Sequence, residues 1–221
     1  MKKIIVAFTI MLLAPRCLLA EMMPDQLVRS TVGKITLLLK ADRDVDAEDP
    51  RRLYAMMDFC EEVLPHIDFR AMSKFALGRY WREATQDQRV RFTHEFRNLL
   101  VRTYGTALRK YSERQVIYLP FSGAPSDKTA VVKTVVKPAG GGPAIPINYS
   151  FYKDHSVWKL YDIAIDGVSL VNTFHDAYAD IINKKGIDAL IADIAESNNK
   201  LPSGKGGAPK PAKSPKKGAG K

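Results

Sequence analysis

Apolar side chains first recur at helical spacing over residues 24–40, where Leu27, Val28, Val32, Ile35, Leu38 and Leu39 form a stripe. Pro24 suits the first turn of that helix. An acidic stretch, 42–49, interrupts the pattern, and a second helix is predicted over 52–64, ending before Pro65. A third covers 69–77 and stops at Gly78. Thr85 and Gln88 have the spacing of a capping box. They open the longest helix, to about residue 112, whose stripe carries Phe92, Phe96, Leu99, Leu100, Tyr104, Leu108 and Tyr111. Arg89, Arg97, Arg102 and Arg109 fall largely off it.

The period then drops from 3.6 to 2. Residues 116–119, 129–137, 145–152 and 157–165 read as four strands separated by turn residues, with Ile147, Tyr149 and Phe151 alternating with Asn148, Ser150 and Tyr152. Short connections make them an antiparallel meander. Helical spacing returns over 169–185 and 187–197, split by Gly186. The pattern predicts an α+β fold: a twisted four-stranded antiparallel sheet with helices packed over one face.

Both ends of the chain differ from this middle. Lys2 and Lys3 precede an apolar run over 4–14, and Ala20 precedes Glu21, which reads as a secretory signal peptide over 1–20. The run is too short to span a bilayer, which takes roughly 20 apolar residues. Residues 202–221 hold no apolar residue larger than Ala or Pro and read as a disordered tail. Of the net charge of +10, Lys2, Lys3 and Arg16 contribute +3 and six tail lysines contribute +6. The predicted folded unit, 21–201, is nearly neutral, which argues against nucleic acid as a partner. The tail suits weak ionic contact with anionic membranes. Cys60 is the one thiol left after removal of the first segment, and on a helix it reads as a small buried hydrophobe.

Catalytic and metal motifs start and then break. Asp42, Asp44 and Asp46 imitate a calcium loop, but Ala47 and Leu53 stand where Gly and Glu are needed. His94-Glu95 lacks its second His, the position being Asn98. Gly167-Val168-Ser169 opens a nucleophile elbow that Val171 breaks. His66, His94, His155 and His175 have no ligand spacing. The expectation is a binding protein, without catalytic residues, metal or cofactor.

Four segments together resemble the MlaC, or toluene-tolerance, family of periplasmic phospholipid-binding proteins. They are LPHIDFRAMSKFALGRYWREAT (64–85), QRVRFTHEFRNLLVRTYGTAL (88–108), DKTAVV (127–132) and WKLYDIAIDGVSLV (158–171). The resemblance spans about 22–197. Asn172-Thr173-Phe174 departs from the family's Asn-Tyr-Arg, so no role passes to those positions. The resemblance implies an NTF2-like arrangement with an apolar pocket between sheet and helices. It also implies a carrier that moves diacyl phospholipid across the periplasm. Its partners would be an outer-membrane lipoprotein–porin complex and an inner-membrane ABC transporter with a substrate-binding ring protein, in a system maintaining outer-membrane lipid asymmetry. Hopanoid cargo is the alternative within the family, and an NTF2-like adaptor without lipid the alternative outside it.

Candidate pocket residues are Phe96, Leu99, Leu100 and Tyr104 on the long helix, and Val132, Ile147, Tyr149, Phe151, Trp158 and Leu160 on strands. Val168 and Val171 join them at the strand-to-helix corner. A helical stripe facing a sheet serves equally as filled core, and the sequence leaves the two open for each residue.

Overall fold

The computed structural model describes residues 22–44, 64–109, 115–137 and 141–200. The predicted leader, the helix over 52–63 with Cys60, most of the acidic loop and the basic tail lie outside the described residues. Helix α1 runs Pro24–Asp44, then a single 3-10 turn Leu64–His66 leads into α2, Phe69–Leu77. A four-residue helix, α3 (Tyr80–Glu83), precedes the long α4, Gln86–Arg109. Strands β1 (Gln115–Tyr118), β2 (Thr129–Lys137), β3 (Ile145–Asp154), β4 (Val157–Ile165) and β5 (Val168–Ser169) follow. Helices α5 (Leu170–Lys185) and α6 (Ile187–Lys200) close the described chain.

The local signals act as expected. Thr85 and Gln88 make a reciprocal capping box: the Thr85 amide donates to Gln88 Oε1 (2.9 Å) and the Gln88 amide to Thr85 Oγ1 (3.2 Å). Asp68 caps α2 by accepting from the Ala71 amide. Gly78 ends α2 at φ 53°, ψ −123°, a backbone conformation disfavoured for residues with a Cβ. Its open side is filled by His175, whose Cε1 lies 2.3 Å from where a Cβ would stand.

The sheet is antiparallel throughout, in the order β1-β2-β3-β4-β5. It has five strands where the pattern predicts four, because Val168 and Ser169 turn back onto Ile165 and Ala164 before α5 begins. Two residues are too few to show a period. A bulge at Ser150/Phe151 leaves Tyr161 as an extra residue in β4. Directly opposed partners share a face. One face therefore carries Tyr118, Ala130, Val132, Thr134, Val136, Ile147, Tyr149, Phe151, Trp158, Leu160, Ile163, Ile165 and Val168.

Helices meet both faces, not one. Leu27 and Val28 of α1 pack on the apolar face, with Ala130, Val132, Phe151 and Trp158. On the other face, Phe75 of α2 stacks on Tyr161 at 5.2 Å, and the Val171 amide of α5 donates to the buried Asp162 at 3.3 Å. A second, all-helical core forms among α2–α6 from Met72, Leu77, Phe92, Phe96, Leu100, Phe174, Leu190 and their neighbours. The halves are stitched along β4. Ile67 bridges Leu160, the Asp68 amide donates to the Leu160 carbonyl (2.9 Å), and the Tyr152 hydroxyl donates to Asp68 Oδ2. Burial first, then the Asp68 carboxylate, raises the Tyr152 hydroxyl to about 12.

Candidate functional site

The twelve candidate residues divide between the two cores. Val132, Tyr149, Phe151, Trp158 and Leu160 come together on the apolar sheet face. Ile147 and Val168 lie on the same face by register, both half-buried. Phe96, Leu99, Leu100 and Val171 stand in the helical core instead. Tyr104 belongs to α4, and its side chain is outside the described residues.

The two environments differ in how completely this chain fills them. Phe92, Phe96, Phe174 and Tyr178 interlock with ring centroids 5.0–6.0 Å apart, stacked, tilted and edge-on. All four are less than 5% exposed. Phe174 closes this core: its ring meets Phe96 edge-on at 5.0 Å. On the apolar face of the sheet, Ala130, Val132, Thr134, Val136, Phe151 and Trp158 are buried. Ile147, Tyr149, Leu160, Ile163, Ile165 and Val168 stay half-buried, a run of large apolar side chains along β3, β4 and β5. The helical core keeps half-buried Ile67, Phe69, Ile181, Ile182 and Ile187 at its margin around a closed ring cluster, whereas on the sheet the half-buried apolar residues form a continuous run.

The polar groups on this face gather toward β1 and β2. Burial raises the Tyr149 hydroxyl above the ordinary tyrosine range, and the neighbouring Thr134 hydroxyl opposes part of that rise. Tyr118 is raised too, by burial, with Arg29 of α1 opposing the shift. The Arg29 guanidinium sits over the Tyr118 ring, 4.2 Å from its centroid. A cation, two phenols and a threonine thus border an otherwise aliphatic and aromatic surface. Such a surface can hold a long apolar ligand with a polar or anionic end.

Sequence reasoning left Leu27, Val28, Val32, Tyr118, Ile163 and Ile165 out of the site. For the α1 residues the signal was their stripe, which shows a buried face without showing what covers it. For Ile163 and Ile165 it was the alternation of β4, obscured where the bulge puts Tyr161 and Asp162 in succession. The broken motifs serve architecture. Ser169 caps α5, its hydroxyl accepting from the Asn172 amide. Glu95 accepts from Asn198 Nδ2 (2.7 Å) and so ties α4 to α6. Among the described residues, no helix is long and apolar enough to cross a membrane.

The family model described as MlaC protein matches residues 29–196. The chain belongs to the MlaC family. Among relatives, it is 25% identical over 187 residues to the Haemophilus influenzae intermembrane phospholipid transport system binding protein MlaC. That alignment covers 84% of this chain and 86% of the relative. It is 26% identical over 176 residues to the Pseudomonas putida toluene tolerance protein ttg2D, covering 79% and 80%. Among solved structures, it is similar to the phospholipid-binding protein of Ralstonia solanacearum in complex with a phospholipid. The TM-score is 0.67 at 29% identity, covering 80% of this chain and 97% of the other.

Proposed function

We propose that this protein binds a diacyl phospholipid and carries it between two membranes. The observation that carries the reading is the fold-level match to nearly the whole of a protein that holds a phospholipid. The names of its relatives point the same way. In this reading the acyl chains lie along Ile147, Tyr149, Leu160, Ile163 and Val168, over the floor made by Val132, Phe151 and Trp158. The headgroup stays toward Arg29 and Tyr118. Two acyl chains hold on the order of 20–30 methylenes, each gaining about 0.8 kcal/mol on leaving water. That gain comes from burial alone, so the carrier needs neither an enzyme's catalytic groups nor a cofactor; the lipid is cargo.

The same reading places the mature protein in the periplasm once residues 1–20 are removed. It would take lipid from, or give it to, an outer-membrane lipoprotein–porin complex and an inner-membrane ABC transporter with its ring protein. The direct test is mass spectrometry of an organic extract of protein purified from a membrane-containing lysate. Near-stoichiometric diacyl phospholipid with mixed headgroups is expected. Fully folded protein recovered free of lipid, or loaded with hopanoid alone, would overturn the proposal.

A further inference from the structure

The outer surface of α2 and α4 carries a patch that lipid binding by the sheet does not use. Positions 90, 97 and 101 share one face of α4. There Val90 and Val101 are 58% and 54% exposed, with the exposed Arg97 between them. Arg97 reaches toward α2, its guanidinium 5.5 Å from the Phe69 ring centroid. Two more guanidiniums, from Arg70 and Arg89, stand 5.9 and 5.6 Å from the centroid of the buried Trp81 ring. Lys74 follows Arg70 by one turn, and Arg82 lies on α3; both are exposed.

These five cations form no ion pair with a carboxylate among the described residues. Arg91 shows what pairing looks like nearby, since it bonds both Asp87 and Asp188 at 2.6 Å. Arg89 instead donates to the carbonyls of Trp81 and Arg82. Glu83 is an exposed acid bordering the patch, and Asp87 is occupied by Arg91. Rings and carbonyls thus hold three guanidiniums in place without neutralising them.

We propose that this face of α2 and α4 is the surface by which the protein rests on an anionic lipid bilayer. Guanidiniums match lipid phosphates as bidentate donors. Exposed valines among basic residues suit the boundary between headgroups and acyl chains. Protein hot spots, by contrast, favour Trp, Tyr and Arg and rarely Val. The six tail lysines add charge of the same sign. The assignment is independent of which lipid the sheet carries.

The test is co-sedimentation of the mature chain, tail retained, with phosphatidylcholine vesicles and with phosphatidylcholine–phosphatidylglycerol vesicles at low salt. Arg70→Gln/Arg89→Gln/Arg97→Gln should lower the affinity for the anionic vesicles by about tenfold or more. Lys128→Gln/Lys133→Gln/Lys137→Gln removes three exposed cations from the β2 region and should change it far less. Equal losses in the two variants would mean that total charge, not this face, sets binding, and would overturn the proposal. If the arginine variant folds poorly, Val90→Ser/Val101→Ser carries the test, since both positions are more than half exposed. A several-fold loss is expected, and wild-type binding would overturn the assignment. So would retention on an immobilised polyglutamate peptide without binding to anionic vesicles, which would assign the patch to an acidic protein.

Discussion

Adding bulk to the sheet face and to the helical core should have opposite consequences. Val132 is only 2% exposed beneath α1, so the better site for bulk is Ile147, half-buried on the same face. Ile147→Trp extends an indole across surface that the acyl chains are proposed to cover. Displacing about four methylenes, at about 0.8 kcal/mol each, costs about 3 kcal/mol, or roughly 150-fold in affinity. Leu100→Trp enlarges a side chain 6% exposed among Phe96 and its neighbours, away from the proposed path of the acyl chains. Overpacking there should cost typically 1–3 kcal/mol. For a unit of this size that is roughly 2–12 °C in Tm. Tight binding would mask the affinity loss at saturation. Tagged variant and untagged wild type are therefore mixed with limiting labelled phospholipid, separated, and counted, and each is melted alone. Ile147→Trp should win almost none of the lipid while melting near wild type; Leu100→Trp should melt early. An equal share of lipid for Ile147→Trp would refute the placement of the chains. A melting loss for Ile147→Trp as large as that of Leu100→Trp would show that the sheet face is filled core.

Gly78→Ala should destabilise by about 2 kcal/mol or more, since it combines a disfavoured backbone conformation with a methyl 2.3 Å from His175 Cε1. Pairing it with His175→Ala should restore only part of the lost Tm, and full restoration would show that the backbone at Gly78 is not strained. Tyr152→Phe should alter the alkaline stability profile. The folded hydroxyl, at about 12, holds its proton while the unfolded one loses it near 10, so stability falls as pH rises between those values. The Tm gap between wild type and Tyr152→Phe should be constant below about pH 10 and shrink above it, and a gap unchanged to pH 12 would contradict this. Deleting 202–221 should leave Tm and bound lipid unchanged, as checked by melting and lipid extraction; loss of either would give the tail a role in the fold or the site.

The one-dimensional periods carry most of the architecture. The switch from 3.6 to 2 and back, the Thr85–Gln88 box, and the stops at Gly78 and Gly186 are all local, and each places an element boundary within a few residues. Features made by distant partners leave no such trace. Ile67 and Asp68 fall between the predicted helices, and nothing local marks their partners, Leu160 and Tyr152, the latter 84 positions from Asp68. The short α3 falls between two stronger signals. The site was half legible for the same reason. Alternation in β3 points Ile147, Tyr149 and Phe151 to one side and is independent of what covers them. The Phe96 stripe of α4 has the right composition for a pocket wall, but α5 and α6 supply Phe174, Tyr178 and Leu190 to meet it. Which stripe meets the sheet is settled by chain topology, and there α1, far off in sequence, supplies Leu27 and Val28.

Two separate cores also suit the proposed task. A carrier must keep its shape while its cargo enters and leaves, so groups that lose contacts on unloading should not be those that hold the fold. The ring cluster of α4 and α5 is closed by its own side chains, and the Thr85–Gln88 capping box, the glycine stops and the Glu95–Asn198 bond fix the helices around it. Ile67 and Asp68 grip Leu160 of β4, while α1 lies on the buried floor made by Ala130 and Val132 of β2 with Phe151 and Trp158. The half-buried residues of β3, β4 and β5 can then exchange an acyl chain for water without disturbing the rings. Burial by the chains stabilises the loaded state in proportion to the apolar area covered. The empty state keeps the helical core and the floor that α1 makes with Val132, Phe151 and Trp158.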